Sequence, residues 1–114
     1  MEIQRTEMGG LTILRPEGDL DEGAVNDLRR ALLACLKDKR CNVIVNLGGV
    51  HYISFMCIGV LIERRRQLRA KSGDLKLAGL NLFAKRTFHM ASVTSMFSIY
   101  DTEAQAVEGF REAA

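Results

Sequence analysis

The chain is 114 residues long, 47% hydrophobic and 26% charged, with a formal net charge of +2. That length builds one domain with a real core and leaves no room for a second. The near-neutral balance gives no overall electrostatic footprint for nucleic acid, and no apolar run approaches the roughly 20 residues that a bilayer span needs. Met1-Glu2-Ile3-Gln4-Arg5 lacks the apolar stretch of a signal peptide. Cys35, Cys41 and Cys57 form no CxxC pair and no Cys/His metal spacing, a scatter that suits free thiols in a reducing cytoplasm.

Ile3 and Arg5 alternate with polar neighbours and predict a first strand. Met8-Gly9-Gly10 turns the chain into a second strand, Leu11 to Arg15, so that the two make a hairpin. Pro16 has no N–H for a ladder and ends that strand or lies on an edge. Gly18 to Gly23 reads as a polar connection, with Asp21 as a helix cap. From Ala24 the period becomes helical: Val25, Leu28, Ala31, Leu32, Cys35 and Leu36 share one face. Val43-Ile44-Val45 with Leu47 is a β-branched run of the kind found in strands covered on both sides, and Gly48-Gly49 breaks it. A second helix is expected from Cys57 to Ala70, with Ile58, Leu61, Ile62 and Leu68 inward. Leu75 to Gly79 is a further strand, Leu82 to His89 a short helix and Phe97 to Tyr100 a brief strand. Thr102-Glu103-Ala104-Gln105 has the spacing of a capping box and opens a last helix carrying Ala106, Val107 and Phe110. Strands alternating with helices imply crossover connections and a mixed sheet with helices packed on it.

Residues 46–61, NLGGVHYISFMCIGVL, carry the most specific signal. They resemble the STAS family of anti-sigma-factor antagonists, in which the stretch runs roughly [ILV]-D-L-S-x-V-x-F-I-D-S-S-G-L-G-V-L. Val50, Tyr52, Ile53, Ile58, Gly59, Val60 and Leu61 fall on that pattern without a gap. Gly18-Asp19-Leu20-Asp21, Leu28-Arg29 with Leu32, and Met96-Phe97-Ser98-Ile99-Tyr100-Asp101 resemble further family pieces, in order and at the right separations. The resemblance covers essentially the whole chain as a single domain, residues 1–114. It implies an α/β STAS-like fold: a mixed sheet of four or five strands with about four helices, mainly on one side.

The resemblance also implies a function. In the family the first serine of Asp-Ser-Ser-Gly is phosphorylated by a partner that is both anti-sigma factor and serine kinase, and the phosphate disrupts the interface. Here Ser54-Phe55-Met56-Cys57 replaces those four residues, and Phe55, at the phosphoacceptor position, has no hydroxyl. The implied role is a non-catalytic antagonist that binds such a partner without a phosphorylation switch at that position. The implied contact residues are Tyr52, Ser54, Phe55, Met56, Cys57 and Ile58, with Asp19 and Asp21 at the neighbouring sheet end. Phe55 and Met56 can each face outward as an anchor or inward as core, and the residue types do not choose. Ser54, beside a helix N-terminus, is either a cap or a second phosphosite, and the cap is the preferred reading. Cys57 is either a thiol activated by that N-terminus or a small buried hydrophobe, again preferring the latter. A scaffold subunit that forms homodimers or joins STAS paralogues is the alternative from another class, and a small-ligand module a third.

His51 and His89 lie in no Ser/His/Asp, Cys/His or HExxH spacing, and the glycine pairs make no phosphate loop. Asp19 and Asp21 are better explained as turn and cap residues than as acid–base partners. No catalytic constellation, cofactor motif or metal-ligand set is legible. Glu63-Arg64-Arg65-Arg66 reads as a solvated helix face, with Glu63 pairing to Arg66 or Gln67, in preference to a basic patch that steers an acidic partner.

Overall fold

The computed structural model describes residues 1–113. The strands are β1 (Ile3–Met8), β2 (Leu11–Pro16), β3 (Gly18–Leu20), β4 (Asn42–Asn46), β5 (Val50–Ile53), β6 (Asp74–Ala78) and β7 (Ile99–Tyr100). The helices are α1 (Val25–Lys37), α2 (Phe55–Ala70), α3 (Leu82–Met90) and α4 (Glu103–Ala113), with short 3-10 turns at Glu22–Ala24 and Thr94–Met96. Five strands form one mixed sheet in the order β1-β2-β4-β6-β7. Only β1–β2 is antiparallel, joined through Gly9 at φ 58°; β2, β4, β6 and β7 run parallel.

The β-branched run of β4 feeds two layers. Val43 and Val45 point to the face covered by α1, α2 and α3, where Leu14, Leu75 and Leu77 meet Leu28, Leu32, Leu61, Leu68 and Phe88. Ile44 points to the other face, where Ile13, Ile44 and Ala78 meet Ala106 and Val107 of α4. A strand buried on both faces has no polar alternation, which is why it read as a continuous apolar run. Helix α4 is anchored at its first turn. Arg15 donates to both oxygens of Glu103 at 2.8 and 2.9 Å, and Asn46 Nδ2 adds a bond to Oε1 at 3.0 Å. The capping box forms as its spacing predicts: Gln105 N–H reaches Thr102 Oγ1, and Gln105 Oε1 accepts from Thr102 N–H, both at 3.2 Å. Beneath α4, the buried Lys76 ammonium lies 4.9 Å from the Phe110 ring.

Some local readings change. The polar connection before α1 and the turn before α2 are strands: β3 and β5 pair in parallel as a small ribbon outside the main sheet. The ribbon forms because Val50 and Ile53 turn inward while His51 and Tyr52 stay outside. Asp21 makes no side-chain cap; its backbone carbonyl accepts from Ala24 N–H, and a 3-10 turn precedes α1. The strand expected from Phe97 begins at Ile99, because Thr94–Met96 coil and the Phe97 ring packs edge-on against Phe88. No helix among the described residues is long and apolar enough to cross a membrane.

Candidate functional site

The chain leaves β4 at the end of the sheet where its parallel strands terminate, the end at which open α/β sheets commonly present binding sites. Asn46 Oδ1 accepts from Gly48 N–H at 2.9 Å and folds the glycine pair into a tight turn. Leu47 N–H bonds to Ala78 O at 2.8 Å, so this turn is tied to the end of β6. Strand β5 follows, with Ser54 N–H bonded to Leu20 O at 2.8 Å. Ser54 is buried, and its Oγ accepts from Cys57 N–H at 3.1 Å. The cap starts α2 at Phe55, two residues before the apolar period suggested a helix.

The cap also sets which residues face water. Cys57, Ile58, Val60 and Leu61 form the buried stripe of α2. Phe55 and Met56 lie off that stripe and are 57% and 56% exposed, so both face outward. Tyr52, on β5, is 38% exposed. Asp19 and Asp21 are exposed on the adjoining ribbon and turn, and Cys57 Sγ contacts Asp21 O at 3.4 Å. The structure therefore brings Asp19, Asp21, Tyr52, Phe55 and Met56 to one end of the molecule. It corrects the expectation for the other three contact residues: Ser54, Cys57 and Ile58 have their side chains inside, held there by the cap and by helical phase.

Burial pushes the Cys57 thiol upward, outweighing the hydrogen bond from Ser54, and the Asp21 and Glu22 carboxylates push it the same way. A buried thiol with a raised pKa is the unreactive kind, despite its place at a helix N-terminus. Ser54 Oγ is likewise committed to its cap and shielded from solvent.

Two residues of this surface escaped the sequence reading. Leu82 and Phe83, 64% and 49% exposed, open α3 beside β5. Asn81 explains their position: Oδ1 caps Ala84 N–H at 2.7 Å, while Nδ2 donates to Val50 O and His51 O at 3.3 Å each. The Phe83 ring then lies 5.6 Å from that of Tyr52. The available signal was phase, since Leu82 and Phe83 fall outside the inward stripe of Ala84, Thr87 and Phe88.

His51 and His89 are exposed, and the described residues hold no group of three metal-ligating side chains. The carboxylates held below their usual range, Asp27, Glu63 and Glu103, are engaged by cationic groups. What the end offers is an apolar surface on rigid elements, rimmed by Asp19 and Asp21.

Comparison with known proteins agrees with this architecture. The STAS domain family pattern matches residues 2–106. The anti-sigma F factor antagonist of Paenibacillus polymyxa is 21% identical over 108 residues, covering 94% of this chain and 92% of its own. BtrV of Bordetella bronchiseptica, assigned as an anti-sigma factor antagonist, is 24% identical over 113 residues, covering 99% and 97%. A Thermotoga maritima crystal structure with the same assignment superposes with a TM-score of 0.90 at 19% identity, covering 96% of this chain and 94% of its own. With the family pattern spanning nearly the whole sequence, the chain belongs to the STAS domain family.

Proposed function

We propose that this chain is a non-catalytic anti-sigma-factor antagonist that docks a kinase-type anti-sigma factor through Tyr52, Phe55 and Met56. The observation that carries the reading is the outward Phe55-Met56 pair at the start of α2, where the family motif has its phosphoacceptor serine and neighbour. Exposed aromatic and methionine side chains on a fixed helix end are the residue types that anchor protein interfaces. The names of the relatives support the role, and the full-length coverage supports the transfer of a whole-domain function.

A phosphate would act by placing charge where apolar packing is needed. Phe55 offers it no oxygen, and Ser54 Oγ is engaged with Cys57 N–H. The antagonist is therefore held in its binding-competent form, and its effect on the anti-sigma factor is set by its abundance. The test is a pull-down from source cells with wild type and Phe55→Asp, followed by incubation of the captured kinase with ATP and mass spectrometry. Wild type retains an anti-sigma factor, the aspartate variant loses it, and Ser54 stays unmodified. Equal capture by both proteins removes the turn as the interface; near-stoichiometric phosphate on Ser54 removes the loss of the switch.

A further inference from the structure

Gly59 sits inside α2, a helix of 16 residues, on its exposed side. Glycine is the poorest helix former after proline, so an interior glycine calls for a reason. Two usual reasons are absent. Its φ is not positive, so the backbone does not demand it. A Cβ built there meets nothing within 4 Å, so no neighbour in the fold needs the space. The remaining reason is contact from outside.

Gly59 lines a groove of about 470 Å³ with Met56, Val60, Arg29, Glu63 and Arg64. Met56 belongs to the docking turn, so the groove continues that surface. Its charges are unbalanced. Glu63 is taken by Arg66 at 2.5 Å. Arg29 donates to Asn26 Oδ1 at 3.1 Å, and Arg64 to Gln67 Oε1 at 2.7 Å and Arg29 O at 3.3 Å. Neither arginine forms an ion pair among the described residues, although the Arg64 charge helps hold the nearby Glu63 carboxyl low, and Arg64 Nε is buried without any hydrogen bond. An apolar lining that carries two guanidinium groups engaged in no ion pair is complementary to a carboxylate flanked by an apolar side chain.

We infer that the α1–α2 groove is the second half of the docking site and receives an acidic segment of the partner, one apolar side chain of which packs on Gly59 between Met56 and Val60. This rests on the reading of the chain as an antagonist, and adds the partner's chemistry. A glycine that weakens its own helix in order to admit a partner leaves an unusual signature: filling it strengthens the fold and weakens binding.

The experiment uses full-length protein and the purified anti-sigma factor captured by wild type. Titration calorimetry and thermal melting are run on Gly59→Leu and Arg29→Glu, with Phe55→Asp as reference. Gly59→Leu melts at or above the wild-type temperature and loses about tenfold or more in affinity. Arg29→Glu loses roughly tenfold, and its affinity becomes less sensitive to salt. If Gly59→Leu binds within about threefold of wild type while Phe55→Asp does not bind, the turn stands and the groove falls. If Phe55→Asp also binds normally, or wild type captures no anti-sigma factor, both readings fall. A wild-type dimer abolished by Gly59→Leu would give the groove to a second copy and overturn the assignment.

Discussion

Truncating Phe55 to alanine isolates the contribution of the ring without adding charge. The residue is 57% exposed. With about 200 Å² for a fully exposed phenylalanine, roughly 115 Å² remains to be covered by a partner. At about 25 cal/mol per Å² this sets a ceiling near 3 kcal/mol. Alanine retains part of that area, and ordering the ring at the interface has its own cost, so the expected loss is about 2 kcal/mol, or roughly 30-fold in Kd. The fold should hardly notice, because the ring lies outside the α2 stripe and alanine is the better helix former. The change in unfolding free energy is expected within about 0.5 kcal/mol. Calorimetric titration against the anti-sigma factor, paired with urea denaturation of the free protein, separates the two effects. An affinity within about threefold of wild type would refute the reasoning. A loss of stability above about 2 kcal/mol would do so differently, by showing that the ring supports the core.

Ser54→Ala removes a buried cap and is expected to cost about 1 kcal/mol, seen as a melting temperature lower by about 4 °C. The Arg15 guanidinium, with Asn46, holds the Glu103 carboxyl below its usual pKa. Its contribution is therefore complete above the unfolded-state value near 4.3 and is lost as pH falls through the lower folded value. Glu103→Gln should be about 1 kcal/mol less stable than wild type at pH 7, a gap that closes in acid; denaturant titrations across pH measure it, and a gap that widens in acid contradicts the assignment. Cys35 and Cys57 are buried, whereas Cys41 is partly accessible. An aromatic disulfide reagent should modify Cys41 first and reach the other two only on unfolding; rapid modification of Cys57 in the native protein would restore it as a reactive thiol.

The layers of the fold were legible because period and phase are local properties. Leu28, Leu32 and Cys35 repeat at helical spacing, and Val43 to Val45 has the composition of a doubly covered strand. The ribbon was not, because β3 and β5 are short and their pairing joins Gly18 to Val50 and Leu20 to Ile53, contacts that no local window contains. The site was half legible. Aligning the turn on a family pattern located Tyr52, Phe55 and Met56 but could not say which side chains point outward. That was decided by the Ser54 cap, which fixed the helical phase and drew Cys57 and Ile58 inside. Phe83 remained invisible because its neighbour Tyr52 is 31 positions away in sequence, and the bridge between them is the Asn81 amide.

The outward aromatic and methionine side chains at the β5–α2 corner also set a thermal character for the complex. If Tyr52, Phe55 and Met56 form the proposed interface, water released from them on association gives a negative heat-capacity change. Because attraction of this kind weakens as water is chilled, the complex should loosen on cooling. Under the proposed function, temperature would then alter occupancy with no modifying enzyme involved.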